Sequence, residues 1–240
     1  MSEERPIRLH AGPWSLEFER WSGWLRAIRY QGHEVVRAVY AVCRGPEWQT
    51  IHQFVRATHV SQEAGRAEVR WEAEADEIGF SWSASVLAFP TSIEVIVSGR
   101  SAEAFDCRRV GMCTLIPQEL AGMTFDLGHP SGDIETSELP ELVSPFLPAT
   151  NISSMEFKAQ HVPVKLTFKG DNFHMEDQRN WTDASYKVYS GAATCLSPFE
   201  FPANSHIEQV LTITAAQTDV LSPDQPPLAL YMLDLQVTRF

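Results

Sequence analysis

The feature that most constrains this chain is alternation. In AEVRWEAEA, Val69, Trp71, Ala73 and Ala75 fall on one side of an extended chain, and Glu68, Arg70, Glu72 and Glu74 on the other. SIEVIVSGR repeats the pattern with Ile93, Val95 and Val97, and HIEQVLTITA with Ile207, Gln209, Leu211 and Ile213. Successive side chains of a strand point to opposite faces, so each run predicts a strand with one face on a core and one in water. Strands of that kind belong to antiparallel sheets, because parallel strands are covered on both faces and read as unbroken apolar runs. GFSWSASVLAF and RRVGMCTLI also read as strands, the second more deeply buried.

Turn formers separate these runs at short intervals: Gly12-Pro13, Gly23, Gly32, Gly45-Pro46, Gly65, Phe89-Pro90, Gly99, and Gly128 to Pro130. Convincing helical periodicity is missing, and residues 102–105 and 139–142 are the best places for a helical turn. Many short strands with little helix predict an all-β fold, a large antiparallel β-sandwich of about fifteen strands. Residues 1–240 read as a single domain, a common arrangement for sandwiches of roughly 200–250 residues. Residues 127–150, rich in Pro, Gly, Ser and acids, read as a long crossover inside it, because the strands on either side look alike. Size and strand count suggest the supersandwich of galactose-mutarotase-like proteins, an architectural analogy that does not fix function. The tail SPDQPPLALYMLDLQVTRF starts with a Pro-rich connection and predicts a last strand over 228–237.

Charge narrows the partners. The formal net charge is −12, whereas nucleic acids and anionic membranes select a basic face, so neither is expected. A small anion stays open, since local arginines can override a global field. The polar start MSEERPIRLH and the lack of an apolar run of spanning length predict a cytoplasmic protein. Cys43, Cys107, Cys113 and Cys195 form no CxxC and have no zinc-site spacing, so reduced buried thiols, no metal and no cofactor are expected. Cys107 and Cys113 are expected to share one face of a strand.

The chemistry concentrates in HMEDQRNWTDASYKVY, His174 to Tyr189. Before it, Val164, Leu166 and Phe168 predict a strand, and Gly170-Asp171-Asn172 a hairpin turn by residue type. The chain then re-enters as a strand with Glu176 and Gln178 on one face and Asp177 and Arg179 on the other. Thr182 or Asp183 is suited to cap a short turn. One reading is a solvated loop whose ion pairs, such as Arg179 with Asp177 or Asp183, are worth about 0–1 kcal/mol each. A second is a buried structural network around Arg179, Trp181 and Tyr186. A third is a site, because a solvated loop has no need of Trp181, Tyr186 and Tyr189. Rings that stack on sugar faces, interleaved with amides and acids that bind hydroxyls, compose a polyol site.

These residues also carry a resemblance. GDNFHMEDQRNWTDASYKVY resembles a segment of the N-terminal β domain of D-apionate lactonases, most closely from Met175 to Ser185. LRAIRYQGHEVVRAVYAVCRGPEWQTI is similar to the opening of that domain, with Arg29, Gly32, Glu34, Val35, Tyr40, Arg44, Trp48 and Thr50 in place. RRVGMCTLIP and PELVSPFLP resemble one of its strands and one of its loops, so the resemblance spans nearly the whole chain. It implies an enzyme family of branched-sugar-acid catabolism in which this domain is joined to a TIM barrel and a second β domain. The chain departs from the pattern at Arg108, Ile116 and Phe146-Leu147, and no barrel sequence follows. The resemblance with those departures implies a stand-alone domain that binds a sugar, sugar acid or lactone, or serves a barrel-bearing protein as an accessory module.

The alternatives are an enzyme that hydrolyses or isomerises a sugar-acid lactone, and a purely structural domain. In an enzyme, Glu176 or Asp177 would be the base, and Arg179, Lys187 or Arg109 would polarise the carbonyl. Glu176, Asp177 and Arg179 are therefore the candidate catalytic residues. Trp48, His52, Arg109, His174, Asn180, Trp181, Asp183, Tyr186 and Lys187 are the candidate ligand-binding residues.

Overall fold

The structure, a computed structural model, describes residues 5–191 and 197–216. Strands are numbered in chain order. The first sheet has eight, in spatial order β1 (Ile7–Ala11), β2 (Trp14–Glu19), β3 (Trp24–Tyr30), β4 (His33–Arg44), β10 (Arg109–Pro117), β17 (Ser185–Ser190), β16 (Phe173–Asp177) and β13 (Ala149–Ile152). The second has nine: β12 (Ile134–Glu138), β11 (Thr124–Gly128), β14 (Ser154–Ala159), β15 (Val162–Lys169), β19 (His206–Ala215), β8 (Ser92–Ser101), β7 (Phe80–Phe89), β6 (Arg66–Ala75) and β5 (Phe54–Glu63). A two-stranded ribbon pairs β9 (Phe105–Cys107) with β18 (Phe199–Phe201). The fold is the antiparallel all-β sandwich that alternation predicts. The strand expected over 228–237 and Cys195 lie outside the described residues.

The two sheets face each other across one apolar core. Val69, Trp71, Ala73 and Ala75 of β6 point into it, as do Ile93, Val95 and Val97 of β8, while Arg70, Glu72 and Glu74 are exposed. Every residue of β10 and β17 is buried, so the first sheet is covered on both faces at its centre. Its far face, turned away from the second sheet, carries a separate cluster of Ala38, Tyr40, Val42, Cys113, Leu115 and Tyr189, with Trp24 packed against it. Cys107 lies in the main core and Cys113 on the far face, so the two do not share a face. Between them Arg108 separates β9 from β10 and Gly111 takes φ 146°, which breaks the simple alternation.

Local structure departs from expectation in two more places. Gly170-Asp171-Asn172 is no hairpin: it leads from β15 in the second sheet to β16 in the first. Gly170 has φ 95°, and a Cβ there would meet the Glu208 carbonyl oxygen at 2.0 Å, so only glycine turns this corner. Nor do 102–105 and 139–142 form helical turns. Phe105 instead pairs with Phe201 in the ribbon, and the 139–142 backbone is held by hydrogen bonds from a distant arginine. Single 3-10 turns occur at Asp76–Ile78, Gln118–Leu120 and Gln178–Trp181. Residues 127–150 contain β12, which pairs back on β11, and then cross to β13 in the first sheet. Among the described residues no helix is long and apolar enough to cross a membrane.

Candidate functional site

Register builds the far face. Cys113 of β10 lies opposite Tyr40 of β4 on one side and Tyr189 of β17 on the other, and Tyr189 lies opposite His174 of β16. Directly opposed residues share a face, so these four form a row across the sheet. Trp24 extends the row, stacked on Tyr40 at 3.9 Å between ring centroids and 5° between planes. Beside the row, Glu176 lies opposite Lys187.

Glu176 is the hub of the charged part. Its Oε1 is ion-paired with the Lys187 ammonium and accepts from Arg109 Nη1 at 3.4 Å and Gln178 Nε2 at 2.9 Å. The Arg109 guanidinium sits 3.6 Å from the Tyr189 ring centroid and 5.6 Å from that of Trp48. Lys187 and Arg109 are only 5% and 9% exposed. Burial pushes the Glu176 carboxyl up, but Lys187 and then Arg109 outweigh it and hold it below the usual carboxylate range. The carboxylate is therefore ionised, with three donors converging on Oε1. Burial raises the Tyr189 hydroxyl to about 12 and also raises the Cys113 thiol, against the pull of Lys187, Arg109 and Arg44. Burial pushes His174 below its ordinary value, and its Nδ1 accepts from the Asn151 N–H at 3.3 Å.

Next to this cluster a cleft of about 350 Å³ opens, lined among others by Trp21, Trp24, Tyr40, Arg44, Thr50 and His52. That volume falls within the range of small-molecule sites, about 300–1,000 Å³. Trp48, whose carbonyl accepts from the cleft residue Arg44, is 44% exposed, with φ 63°, a left-handed backbone that a bulky residue rarely adopts.

The remaining candidates sit elsewhere. Asp177 and Arg179 form a two-pronged pair, with Nε to Oδ1 and Nη2 to Oδ2 both 2.8 Å. Arg179 also donates to the carbonyls of Pro140, Glu141 and Leu142 at 2.7, 3.0 and 3.2 Å. Asp177 accepts from the Ser144 N–H at 2.8 Å, Asn180 donates to the Ser144 carbonyl at 2.5 Å, and the Tyr186 hydroxyl donates to the Pro140 carbonyl at 2.5 Å. Burial raises Asp177, and hydrogen bonds from Arg179 and Ser144 lower it further than burial raises it. These four side chains clamp the loop before β13 onto the sheet. Asp177 also caps the turn Gln178–Trp181, and Thr182 closes it in the left-handed conformation. Trp181 is 74% exposed on that turn, and Asp183 accepts from the Ser185 hydroxyl at 2.8 Å.

The structure thus brings Trp48, Arg109, His174, Glu176 and Lys187 together, with His52 in the adjoining cleft. It places Asp177, Arg179, Asn180 and Tyr186 in the clamp, and Trp181 and Asp183 on an exposed turn. Sequence reasoning assigned no site role to Tyr40, Arg44 or Gln178, and counted Tyr189 among the site aromatics without naming it as a binding residue. Same-face alternation along β4 was the available signal for Tyr40 and Arg44. Among the described residues no group of three or more His, Cys, Asp or Glu is placed to hold a metal ion.

Two stacked antiparallel sheets in this order define a galactose-mutarotase-like β-sandwich. A galactose mutarotase-like protein from Lactobacillus casei superposes over 88% of this chain and 100% of its own, with a TM-score of 0.54 at 12% identity. The GH36 alpha-galactosidase AgaB from Geobacillus stearothermophilus superposes over 90% of this chain and 40% of its own, with a TM-score of 0.56 at 11% identity. At such identities the likeness is one of fold. Sequence narrows it: residues 1–218 match the family model of the D-apionate lactonase N-terminal domain. The D-apionate lactonase of Brucella anthropi is 30% identical over 227 residues, 90% of this chain. The chain belongs to the D-apionate lactonase N-terminal domain family, and it spans 36% of the length of that curated relative.

Proposed function

We propose that this chain is a carbohydrate-binding domain whose far face takes a polyhydroxy ligand, a sugar, sugar acid or lactone, in the cleft that adjoins the Glu176 cluster through Arg44 and Arg109. The observation that carries the reading is the state of Glu176. A general base works best with a pKa near the operating pH, whereas this carboxylate is held low by two nearly buried cations, Lys187 and Arg109. Such a group orients donors and accepts hydroxyls better than it removes protons. Trp21 and Trp48, both exposed, supply ring surface, and Arg44, Thr50 and His52 supply polar contacts. In a lactonase-length protein the domain would act as an accessory module to the part that this chain does not span, and a barrel-bearing partner fits that role.

Isothermal calorimetry against hexoses, aldonates and aldonolactones tests the proposal. Saturable binding is expected, weakened about tenfold or more by Glu176→Gln, the scale of one charged hydrogen bond. No saturable binding anywhere in the panel would overturn it. A second reading, that the domain itself opens a sugar-acid lactone, is favoured by the likeness to a D-apionate lactonase. Steady hydrolysis of an aldonolactone, lost in Glu176→Gln, would replace the binding reading with that one.

A further inference from the structure

Most arginines elsewhere on these sheets are matched to acids, the exposed Arg100 of β8 being an exception. Arg26 reaches Glu19 at 2.7 Å, Arg56 reaches Glu74 at 2.9 Å, and Arg66 reaches Glu68 at 2.7 Å. With 31 acidic against 19 basic residues, a carboxylate is easily supplied. Arg44 departs from this. It lies directly opposite Arg109 across the β4–β10 ladder, a like-charge pair on one face. Like charges directly opposed in a sheet repel, so the arrangement is unfavourable unless an anion joins it.

Among the described residues, Arg44 has no carboxylate within ion-pair distance. Its Nη1 donates to two neutral acceptors, the Thr50 hydroxyl and the Trp48 carbonyl, the latter at 3.5 Å. Arg109 carries five N–H donors, and among the described residues one finds an acceptor, Glu176. Its guanidinium plane is taken up by Tyr189 and Trp48, which leaves the in-plane donors for a ligand. Arg109 and Lys187 meet at Glu176, and Arg44 stands opposite Arg109, so the three cations gather on one face. Glu176 acts there in the opposite sense and already engages Lys187 and Arg109, whereas Arg44 has no carboxylate partner among the described residues. Arg44 also lines the cleft, so its charge faces a ligand bound there.

We infer that Arg44 and Arg109 form an anion-binding site at the cleft, which makes the ligand a polyhydroxy compound with a carboxylate or phosphate. This rests on the carbohydrate-binding reading above and narrows it: the site selects the open-chain acid over the neutral lactone. Two guanidinium groups offer paired donors that match the oxygens of either anion.

Calorimetry at low salt compares galactonate, galactose 6-phosphate, galactitol and galactono-1,4-lactone. At least one anion is expected to bind about tenfold or more tightly than galactitol and the lactone, with an advantage that shrinks as salt screens it. The tighter of the two identifies carboxylate or phosphate as the group. Arg44→Gln is expected to reduce the ratio of anion to galactitol affinity, and Arg44→Lys to restore part of it. Equal affinities for anions and neutral ligands would overturn the anion site and leave carbohydrate binding standing. An anion preference unchanged in Arg44→Gln would overturn the assignment to Arg44. Absence of binding by all four compounds would overturn both readings. Should Arg44→Gln fail to fold, the ligand ratio and salt dependence of the unmodified chain decide the matter.

Discussion

Glu176 shows how one residue couples folding to pH. Its folded pKa lies below the ordinary 4.5 because Lys187 and Arg109 outweigh burial. A depressed carboxylate contributes stability that is fully present above the unfolded value and lost as pH falls through the folded one. Asp177 acts in the same direction from 3.8, and His174, depressed from 6.5 by burial, adds a loss that begins near pH 6.5. Denaturant unfolding between pH 3 and 8 should therefore show a shoulder below 6.5 and a steeper fall below 4.5. Glu176→Gln should flatten part of the lower fall and leave the shoulder. It should also destabilise the protein at neutral pH, because Lys187 stays buried without its carboxylate. The cost falls short of the roughly 3–5 kcal/mol of a fully buried pair, since the Glu176 side chain is 23% exposed. An unchanged acid limb in Glu176→Gln would contradict the ion-pair account. The residue types of this site stood plainly in the sequence. That Lys187 faces Glu176, or Arg109 faces Arg44, did not, because partners come from strand register between segments far apart in the chain.

At the scale of elements, the two stretches that carry the family resemblance hold each other. Asp177, the last residue of β16, and Arg179 in the turn that follows pin the backbone of PELVSPFLP through its carbonyls and the Ser144 N–H. The sequence offered this pair as a surface ion pair, a buried network or a catalytic set, and the geometry shows what decides among them. The Asp177 side chain has no exposure and that of Arg179 has 13%. Arg179→Ala strands a buried carboxylate, so a loss of about 3–5 kcal/mol is expected. Arg179→Lys should recover little, because an ammonium cannot reproduce the fork that reaches one carboxylate and three carbonyls. Hydrogen exchange at Ser144 should speed up in both variants, and an Arg179→Ala protein of unchanged stability and protection would refute the clamp. Alternation made the strands themselves legible. The corner at Gly170 was misread because turn chemistry is local: Gly-Asp-Asn announces a reversal, while the sheet that receives the next strand is chosen by pairing of β16 with β17.

For the whole molecule, the question is what makes two sheets one cooperative body. The core draws on both, but apolar packing alone is tolerant of sliding. A fully buried polar contact fixes the match. Gln209, fully buried on β19 of the second sheet, accepts from the Met112 N–H of β10 in the first at 2.6 Å and donates to Asp171 at 3.2 Å. Gly111 beside it has φ 146°, and a Cβ there would meet the Ser190 hydroxyl at 1.9 Å and Gln209 at 2.8 Å, so the bridge needs that glycine. The strand pattern placed Gln209 on an apolar face among Ile207, Leu211 and Ile213, a polar residue where a sheet-only reading has no use for one. Its partner lies across the sandwich, which is why the sequence left its role unread. Calorimetry of the chain should show one transition if the sheets unfold together. Gln209→Leu keeps the apolar volume but leaves the Met112 N–H without its acceptor, a cost of about 1–3 kcal/mol. Gly111→Ala should cost more, since it adds strain at a positive φ to a collision with the bridge. The far face, built on β10 next to Met112, would feel the same displacement, so both variants should weaken ligand binding as well as stability. Two resolved transitions in the unmodified chain, or a Gln209→Leu protein as stable as the original, would show that the sheets are joined by packing alone.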